Sequence, residues 1–351
     1  MNSDNFFMQR CLALAIKGIG KTYPNPLVGC VIVNDNKIIS EGWHKLYGGV
    51  HAEVDAINKI EDKRILKNCS LYVNLEPCNH HGKTPPCTNL ILKYGIKNII
   101  IGIKDPNKNV DGNGVEYLKR NGCKVKVNVL KEECKFINRR FLTFNNLKRP
   151  YITLKWAESK DGFIGPIKNK LNSGKVFWVS NEKSRILSHK WRTEEHSILV
   201  GVQTIIDDNP ELTSRFYKGN NPIRIVIDPN LRIPLESNVL NNASKSIILS
   251  NTKKKTGGLN IHTNDFSNKE SIINSIYNQG IQSVIVEGGK RTIQFFIDNN
   301  YWDCIKVFQT DKLLNKGTPR PDFNINDYDY DYKMIDNDRL YELFKNQKIS
   351  L

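Results

Sequence analysis

No stretch of this chain approaches the roughly 18 continuous apolar residues that a membrane-spanning helix needs, so no membrane association is expected. A secretory leader is missing as well. Asp4 stands where a signal peptide wants positive charge, and the apolar run that starts at Cys11 stops at Lys17. A cytoplasmic protein is the expectation. Proline and glycine are sparse, 14 and 23 in 351 residues, which excludes fibrous and disordered classes. No internal repeat joins the two halves. Low complexity is confined to the acidic, tyrosine-rich segment Asp327 to Tyr332, read as a solvated loop.

Acidic residues are also in deficit, 36 against 52 Lys and Arg, which leaves a formal charge of +16. Phosphate-backbone binding normally needs that charge gathered on one face, whereas these lysines are scattered among Asn and Ile along the whole sequence. The expected partner is therefore a small phosphorylated substrate, with no nucleic acid. Eight cysteines without a secretion signal read as reduced thiols. Cys11, Cys30, Cys69, Cys123, Cys134 and Cys304 sit at no metal-ligand spacing and read as core or incidental residues.

What is present is alternation of strand-like and helix-like patterns, repeated twice. A chain of this length suits two domains of about 150 to 200 residues. In the first part a helix over about 4 to 18 precedes strands at Val28 to Val33 and Lys37 to Glu41 around an Asn34-Asp35-Asn36 turn. A helix from Ala52 follows, then strands at Ser70 to Leu75, Asn98 to Ile103 and Lys124 to Val129, with helices at Thr88 to Tyr94, Gly114 to Asn121 and Lys131 to Thr143. This predicts an α/β sandwich with helices flanking one sheet. The polar stretch Asn145 to Arg149, closed by Pro150, marks the boundary, placing domains at 1–147 and 148–351. In the second part strands are expected at Tyr151 to Ala157, Ser197 to Val202, Ile223 to Asp228, Ser246 to Ser250, Ser283 to Glu287 and Cys304 to Gln309. Helices are expected at Asn181 to Arg192, Asn268 to Asn278 and Arg291 to Asn299, so the second domain is a further α/β unit.

The sharpest chemical signal is His51-Ala52-Glu53, followed by Pro77-Cys78 and then Cys87. One imidazole and two thiolates make a three-ligand zinc site that leaves a fourth position open, as catalytic sites do. Zinc lowers the pKa of water toward neutrality, and Glu53 can shuttle protons without binding metal. The order His-x-Glu, Pro-Cys, Cys is the signature of zinc-dependent nucleobase deaminases. The usual cysteine spacing of two residues is replaced here by the insert Asn79 to Pro86. A structural zinc site closed by His80 or His81 is the alternative. Around the metal, Asn25 between Pro24 and Pro26 can offer its amide to a pyrimidine edge, or simply form a turn. His44 can donate to a substrate oxygen or pack against Trp43, and Lys83 can bind phosphate or stand in solvent.

With Pro24 to Cys30, His51-Ala52-Glu53, Glu76 to Cys87 and Gly102 to Asn107 in view, the first domain resembles the diaminohydroxyphosphoribosylaminopyrimidine deaminases of riboflavin biosynthesis. The resemblance implies a cytidine-deaminase-like three-layer α/β/α domain, zinc ligands His51, Cys78 and Cys87, catalytic Glu53, and substrate contacts at Asn25, His44 and Lys83. The second domain is similar to the fused 5-amino-6-(5-phosphoribosylamino)uracil reductases through Phe177 to Ser180, Val200 to Thr204, Asp208 to Arg215, Pro222 to Asp228 and Val286 to Gly289. That implies a dihydrofolate-reductase-like fold that uses NADPH to convert a ribosyl to a ribityl group. It also implies cofactor contacts at Trp178, Thr204 and Asp208, substrate contacts at Arg192, Leu212, Arg215 and Glu287, and a homo-oligomer.

Some support comes from the residues themselves. Val284 to Gly289 reads as a buried strand running into a glycine turn and a helix, so Gly289 is placed with the cofactor, where backbone N–H groups meet phosphate. Arg192 and Arg215 can fork a substrate phosphate or form surface salt bridges. Lys160, Asn209 and Asn315 depart from the family pattern, and the first two leave open a silent reductase. The rival reading is a nucleic-acid base deaminase with an RNA-binding second domain, against which stand the insert and the absence of aromatic platforms interleaved with basic residues. A third, a non-catalytic zinc-stabilised binding protein, predicts no chemical consequence of removing Glu53.

Overall fold

The computed structural model describes residues 3–79, 85–106, 113–167, 177–252 and 260–345, which fall into two units, Met1–Lys148 and Arg149–Leu351. In the first unit the strands are β1 (Gly29–Asn34), β2 (Lys37–Trp43), β3 (Ser70–Leu75), β4 (Asn98–Ile103) and β5 (Lys124–Lys126). They lie in the order β2-β1-β3-β4-β5, antiparallel across β2-β1-β3 and parallel across β3-β4-β5. Asp35 and Asn36 both take positive φ, 47° and 60°, which matches the tight turn of a right-twisted hairpin.

Residues alternate between the two faces of this sheet with period two. Cys30, Ile32, Leu71, Val73, Ile99 and Ile101 pack under α2 (Ala52–Asn58), α3 (Cys87–Lys93) and α4 (Asn113–Arg120). Val31, Val33, Tyr72 and Ile100 pack instead under α1 (Ser3–Ala15) and α5 (Lys131–Ile137). That is the expected three-layer arrangement. One helix was expected from Lys131 to Thr143, but it breaks at Asn138. Its second part, α6 (Arg139–Leu147), runs through residues expected to be linker and ends at left-handed Lys148. Asn138 sits at the break, with its side chain bonded to the β1 approach at Leu27.

The second unit contains β6 (Tyr151–Glu158), β7 (Phe163–Gly165), β8 (Ser197–Gly201), β9 (Ile223–Ile227), β10 (Ser246–Ser250), β11 (Ile261–Thr263), β12 (Ser283–Val286) and β13 (Cys304–Gln309). It continues with β14 (Thr318–Pro319), β15 (Asp331–Ile335) and β16 (Asp338–Phe344). The large sheet runs β11-β10-β9-β8-β12-β6-β13-β16-β15, parallel from β11 to β13 and antiparallel at the last two strands. Helices α9 (Ser271–Asn278) and α10 (Lys290–Asp298) cover one face, while α7 (Glu182–Glu194) and α8 (Val202–Asp208) cover the other. The tyrosine-rich segment is solvated, as expected, and its last two residues, Asp331 and Tyr332, open edge strand β15. That strand is nearly all exposed, so it lacks the apolar alternation that marks a half-buried strand. No helix of the described residues is long and apolar enough to cross a membrane.

Candidate functional site

In the first unit, three elements deliver one side chain each to a single point. His51 is the extended residue before α2, Cys78 follows β3 through Glu76-Pro77, and Cys87 opens α3. β2 lies so close to α2 that a Cβ on Gly42 would come within 2.3 Å of the Ala52 carbonyl, so only glycine allows this packing. The turn at Cys78 is pinned by the buried Glu76 carboxylate, which accepts the Asp105 and Val115 N–H groups at 3.1 and 2.9 Å. His51 Nδ1 then stands 3.5 Å from Cys78 Sγ and 3.3 Å from Cys87 Sγ. Zinc bonds of ~2.0 Å to nitrogen and ~2.3 Å to sulfur require tetrahedral N···S edges of roughly 3.5 Å, so the three donors fit that ion. They are the one such cluster among the described residues, and His80, His81 and Lys83 lie outside those residues.

Electrostatics agree with the donor set. Hydrogen bonds from Cys87 and His51 pull the Cys78 thiol down to about 4, and the Cys87 N–H donates to the same sulfur at 3.3 Å. The neighbouring Cys78 sulfur and burial push the Cys87 thiol up, a mutual repulsion that a dication relieves. Glu53, in the first turn of α2, is buried, and desolvation followed by the Cys78 thiolate pushes its carboxyl up to about 7. A carboxyl poised near neutrality can both take and give a proton.

Asn25 and His44 meet beside this cluster. His44 Nδ1 lies 3.0 Å from the Val50 carbonyl, which can only accept, so Nδ1 carries the proton and Nε2 accepts from Asn25 Nδ2 at 3.0 Å. Both ring nitrogens are thereby occupied within the protein. In this arrangement the His44 ring orients the Asn25 amide, whose oxygen stays available. Burial holds the His44 pKa down, which keeps that ring neutral. The loop is anchored by two asparagines that the sequence did not single out. Asn138 and Asn74 both donate to the Leu27 carbonyl, and their oxygens accept the N–H groups of Leu27 and Gly29. Nothing in local sequence distinguishes these two from the many other asparagines.

In the second unit a cavity of about 260 Å³ opens at the carboxyl ends of β6 and β12. Arg192 grips Glu287 with two bonds of 2.9 and 2.8 Å and donates to the Thr213 carbonyl at 2.9 Å. Its fork is thus committed inside the protein, so it is not the free phosphate fork that was one of the two expectations. Lys155 Nζ adds a 3.5 Å ion pair to Glu287, and His189 Nε2 lies 3.4 Å from Arg192. These cations overcome burial and hold the Glu287 carboxyl at about 2, whereas desolvation and Arg192 push His189 down to about 3. Lys155 and His189 were missed. The available signal for Lys155 was a lone cation inside the otherwise mostly apolar strand β6. Leu212 lines the same cavity, buried and in the left-handed region at φ 53°, a strained position held by its surroundings. Arg215 is exposed, with its guanidinium over Phe216.

A second cavity of about 730 Å³ adjoins the first, bounded by β8, the β9 turn and the start of α10. Thr204, Asp208 and Gly289 line both, and the Gly289 N–H donates to Thr204 Oγ1 at 3.2 Å. Trp178 lines only the smaller cavity, with the Arg185 guanidinium 4.9 Å from its ring centre. An elongated cofactor with its reactive end at the shared rim fits this pair of spaces. Asn209 and Asn315, two departures from the family pattern, occupy left-handed positions at φ 42° and 58°. Asn tolerates that region better than other residues with a side chain, so both departures are backbone accommodations.

Comparison with known proteins agrees with both units. Residues 1–103 match the family described as the cytidine and deoxycytidylate deaminase zinc-binding region, and 150–322 match the RibD C-terminal domain. The riboflavin biosynthesis protein RibD of Aquifex aeolicus is 38% identical over 330 residues, covering 92% of this chain and 91% of the relative. That of Bacillus amyloliquefaciens is 36% identical over 330 residues, covering 91% and 87%. Among solved structures, a diaminohydroxyphosphoribosylaminopyrimidine deaminase/5-amino-6-(5-phosphoribosylamino)uracil reductase from Thermotoga maritima superposes with a TM-score of 0.88 at 34% identity. It covers 97% of this chain and 98% of that one. Acinetobacter baumannii RibD gives a TM-score of 0.87 at 28% identity, covering 98% and 99%.

Proposed function

The chain belongs to the RibD family of riboflavin biosynthesis proteins, and from that premise we propose that it carries out two successive reactions on one phosphorylated aminopyrimidine. Residues 1–147 remove an amino group hydrolytically from 2,5-diamino-6-(5-phosphoribosylamino)pyrimidin-4(3H)-one. Residues 148–351 then reduce the ribosyl of the product to a ribityl group with NADPH. The observation that carries the first half is the convergence of His51, Cys78 and Cys87 with the buried, near-neutral Glu53.

When bound, zinc supplies Lewis acidity that makes water a nucleophile at neutral pH. His51, Cys78 and Cys87 hold it. Glu53 takes the proton released by the attacking water and returns it to the departing ammonia. Asn25, oriented by His44, recognises the pyrimidine edge, and Lys83 meets the phosphate. In the second unit Trp178, Thr204, Asp208 and Gly289 would hold NADPH, which would supply the hydride, while Leu212 and Arg215 meet the phosphoribosyl portion and the Arg192–Glu287 pair lines its pocket. The enzyme works in the cytoplasm as a homo-oligomer without nucleic acid or membrane partners.

The test is to incubate zinc-loaded protein with the diaminopyrimidinone ribosylamine phosphate, with and without NADPH, following ammonia and the absorbance of the reduced cofactor separately. Ammonia release and NADPH oxidation together are the expected result. Ammonia alone would leave a deaminase with a silent second domain, and neither would overturn the assignment.

A further inference from the structure

We propose that His189 is a neutral hydrogen-bond donor to the phosphate of the substrate, acting through its Nε2–H beside Arg192 in the smaller cavity. This inference rests on the reading of the second unit as a reductase of a phosphorylated substrate.

His189 is 1% exposed and sits on α7, one helical turn before Arg192, against the smaller cavity. Its imidazole meets two groups that can only donate. The Phe216 N–H points at Nδ1 over 3.5 Å, and Arg192 Nη1 stands 3.4 Å from Nε2. A neutral imidazole offers one ring nitrogen as acceptor, and a protonated one offers none. The Phe216 N–H has no other acceptor among the described residues, whereas the Arg192 guanidinium already donates to Glu287 and Thr213. Nδ1 is therefore committed to the backbone, and the ring proton sits on Nε2. Burial, then the Arg192 charge, holds the ring pKa down to about 3, with Arg215 and Lys155 acting the same way and Glu287 opposing, so no second proton binds near neutrality. The His189 and Arg192 N–H groups thus converge without bonding each other, an arrangement that one acceptor oxygen satisfies.

Charge and place identify that acceptor. The smaller cavity is lined by four cations, Lys155, Arg185, Arg192 and Arg215, against two carboxylates, Asp208 and Glu287. A phosphate monoester, which carries close to two negative charges, matches the excess, and a carbonyl or hydroxyl oxygen does not. The rim shared with the larger cavity includes Thr204, Asp208 and Gly289, whereas His189 lines the smaller cavity alone, so it meets the substrate away from the carbon that receives hydride. The Phe216 ring lies 4.6 Å from that of His189 and under the Arg215 guanidinium, which fixes the imidazole plane between the two arginines. A further cation at this point would repel both of them in the free enzyme. A neutral N–H adds a bond to the phosphate without that repulsion.

The experiment uses full-length zinc-loaded protein and reads reductase kinetics with the deaminated ribosylamine phosphate and NADPH. A hydrogen bond to a charged oxygen corresponds to roughly a 10-fold to 100-fold change in affinity. His189→Leu is expected to raise KM by that factor with kcat within about twofold. His189→Gln, whose amide nitrogen reaches the position of Nε2, should recover most of the loss, and His189→Asn, which reaches only as far as Nδ1, should not. An unchanged KM in His189→Leu, or a loss in kcat alone, would overturn the assignment. Nitrogen-15 NMR of the histidine-labelled wild type supplies a readout that needs no leucine variant to fold, with the His189 signals assigned by their loss in His189→Gln. It should show the proton on Nε2, and that nitrogen should shift with ribose 5-phosphate and not with ribose. A proton on Nδ1, or the same response to both sugars, would overturn the assignment. Wild-type protein that binds ribose 5-phosphate at His189 yet oxidises no NADPH would overturn the reductase reading instead.

Discussion

Replacing Glu287 by Gln removes one charge and almost no volume from the wall of the smaller cavity, and it leaves Arg192 and Lys155 as largely buried cations without their carboxylate. The Glu287 carboxyl is held at about 2 against an ordinary 4.5, and the group is buried, so the displacement is worth about 3 kcal/mol at ~1.4 kcal/mol per pH unit. Because the folded-state pKa is depressed, the contribution is fully present above pH 4.5 and is lost as pH falls through 2. The stability gap between wild type and Glu287→Gln should thus be about 3 kcal/mol at pH 6 and about 1 kcal/mol at pH 3. Urea unfolding followed by tryptophan fluorescence reads it well, since four of the five tryptophans, Trp156, Trp178, Trp191 and Trp302, lie in this unit. A Glu287→Leu, Arg192→Met, Lys155→Met triple substitution should regain most of the stability, because it removes both orphaned charges along with their partner. A gap below about 1 kcal/mol at pH 6, or one that fails to narrow toward pH 3, would refute the claim that the cations hold this carboxylate.

Other outcomes follow from the first unit and from the loops. Glu53→Gln should abolish ammonia release while retaining one zinc per chain by elemental analysis, since Glu53 stands outside the His51-Cys78-Cys87 donor cluster. Stripping the metal with a chelator, or Cys87→Ser, should silence ammonia release and leave NADP⁺ affinity within about twofold, as read by calorimetry. Asn74→Leu should raise the deaminase KM more than it lowers kcat and destabilise by about 1 to 3 kcal/mol, because the Leu27 and Gly29 backbone groups lose a buried partner. Asn209→Ala should cost about 1 to 2 kcal/mol in thermal unfolding and Asn209→Gly much less, since the position is left-handed.

Much of this molecule was legible before its fold. Short β-branched runs bounded by turn residues identified β3, β4, β10 and β13 with their boundaries, because strand propensity and period two are local properties. The His-x-Glu and Pro-Cys motifs were legible because residues next to one another at the start of one helix, or in one turn, stay together in any fold. The insert between Cys78 and Cys87 did not hide the site, since a loop of any length can return a cysteine to the same point.

Tertiary structure alone decided what depends on contacts between distant elements. Asn138 reaches Leu27 across more than a hundred residues, and that bond ties the break between two helices to the loop that carries Asn25. Lys155, His189, Arg192 and Glu287 come from β6, α7 and the β12 turn, and only the sheet order that places β12 beside β6 and β8 brings them together. The sequence by itself determined which chemistry the chain can hold, because donor types and their local spacing are written in it. Which charges are buried against one another, and therefore which carboxylate is neutral, ionised or withdrawn, was decided by packing, because desolvation and Coulomb attraction act through space and not along the chain.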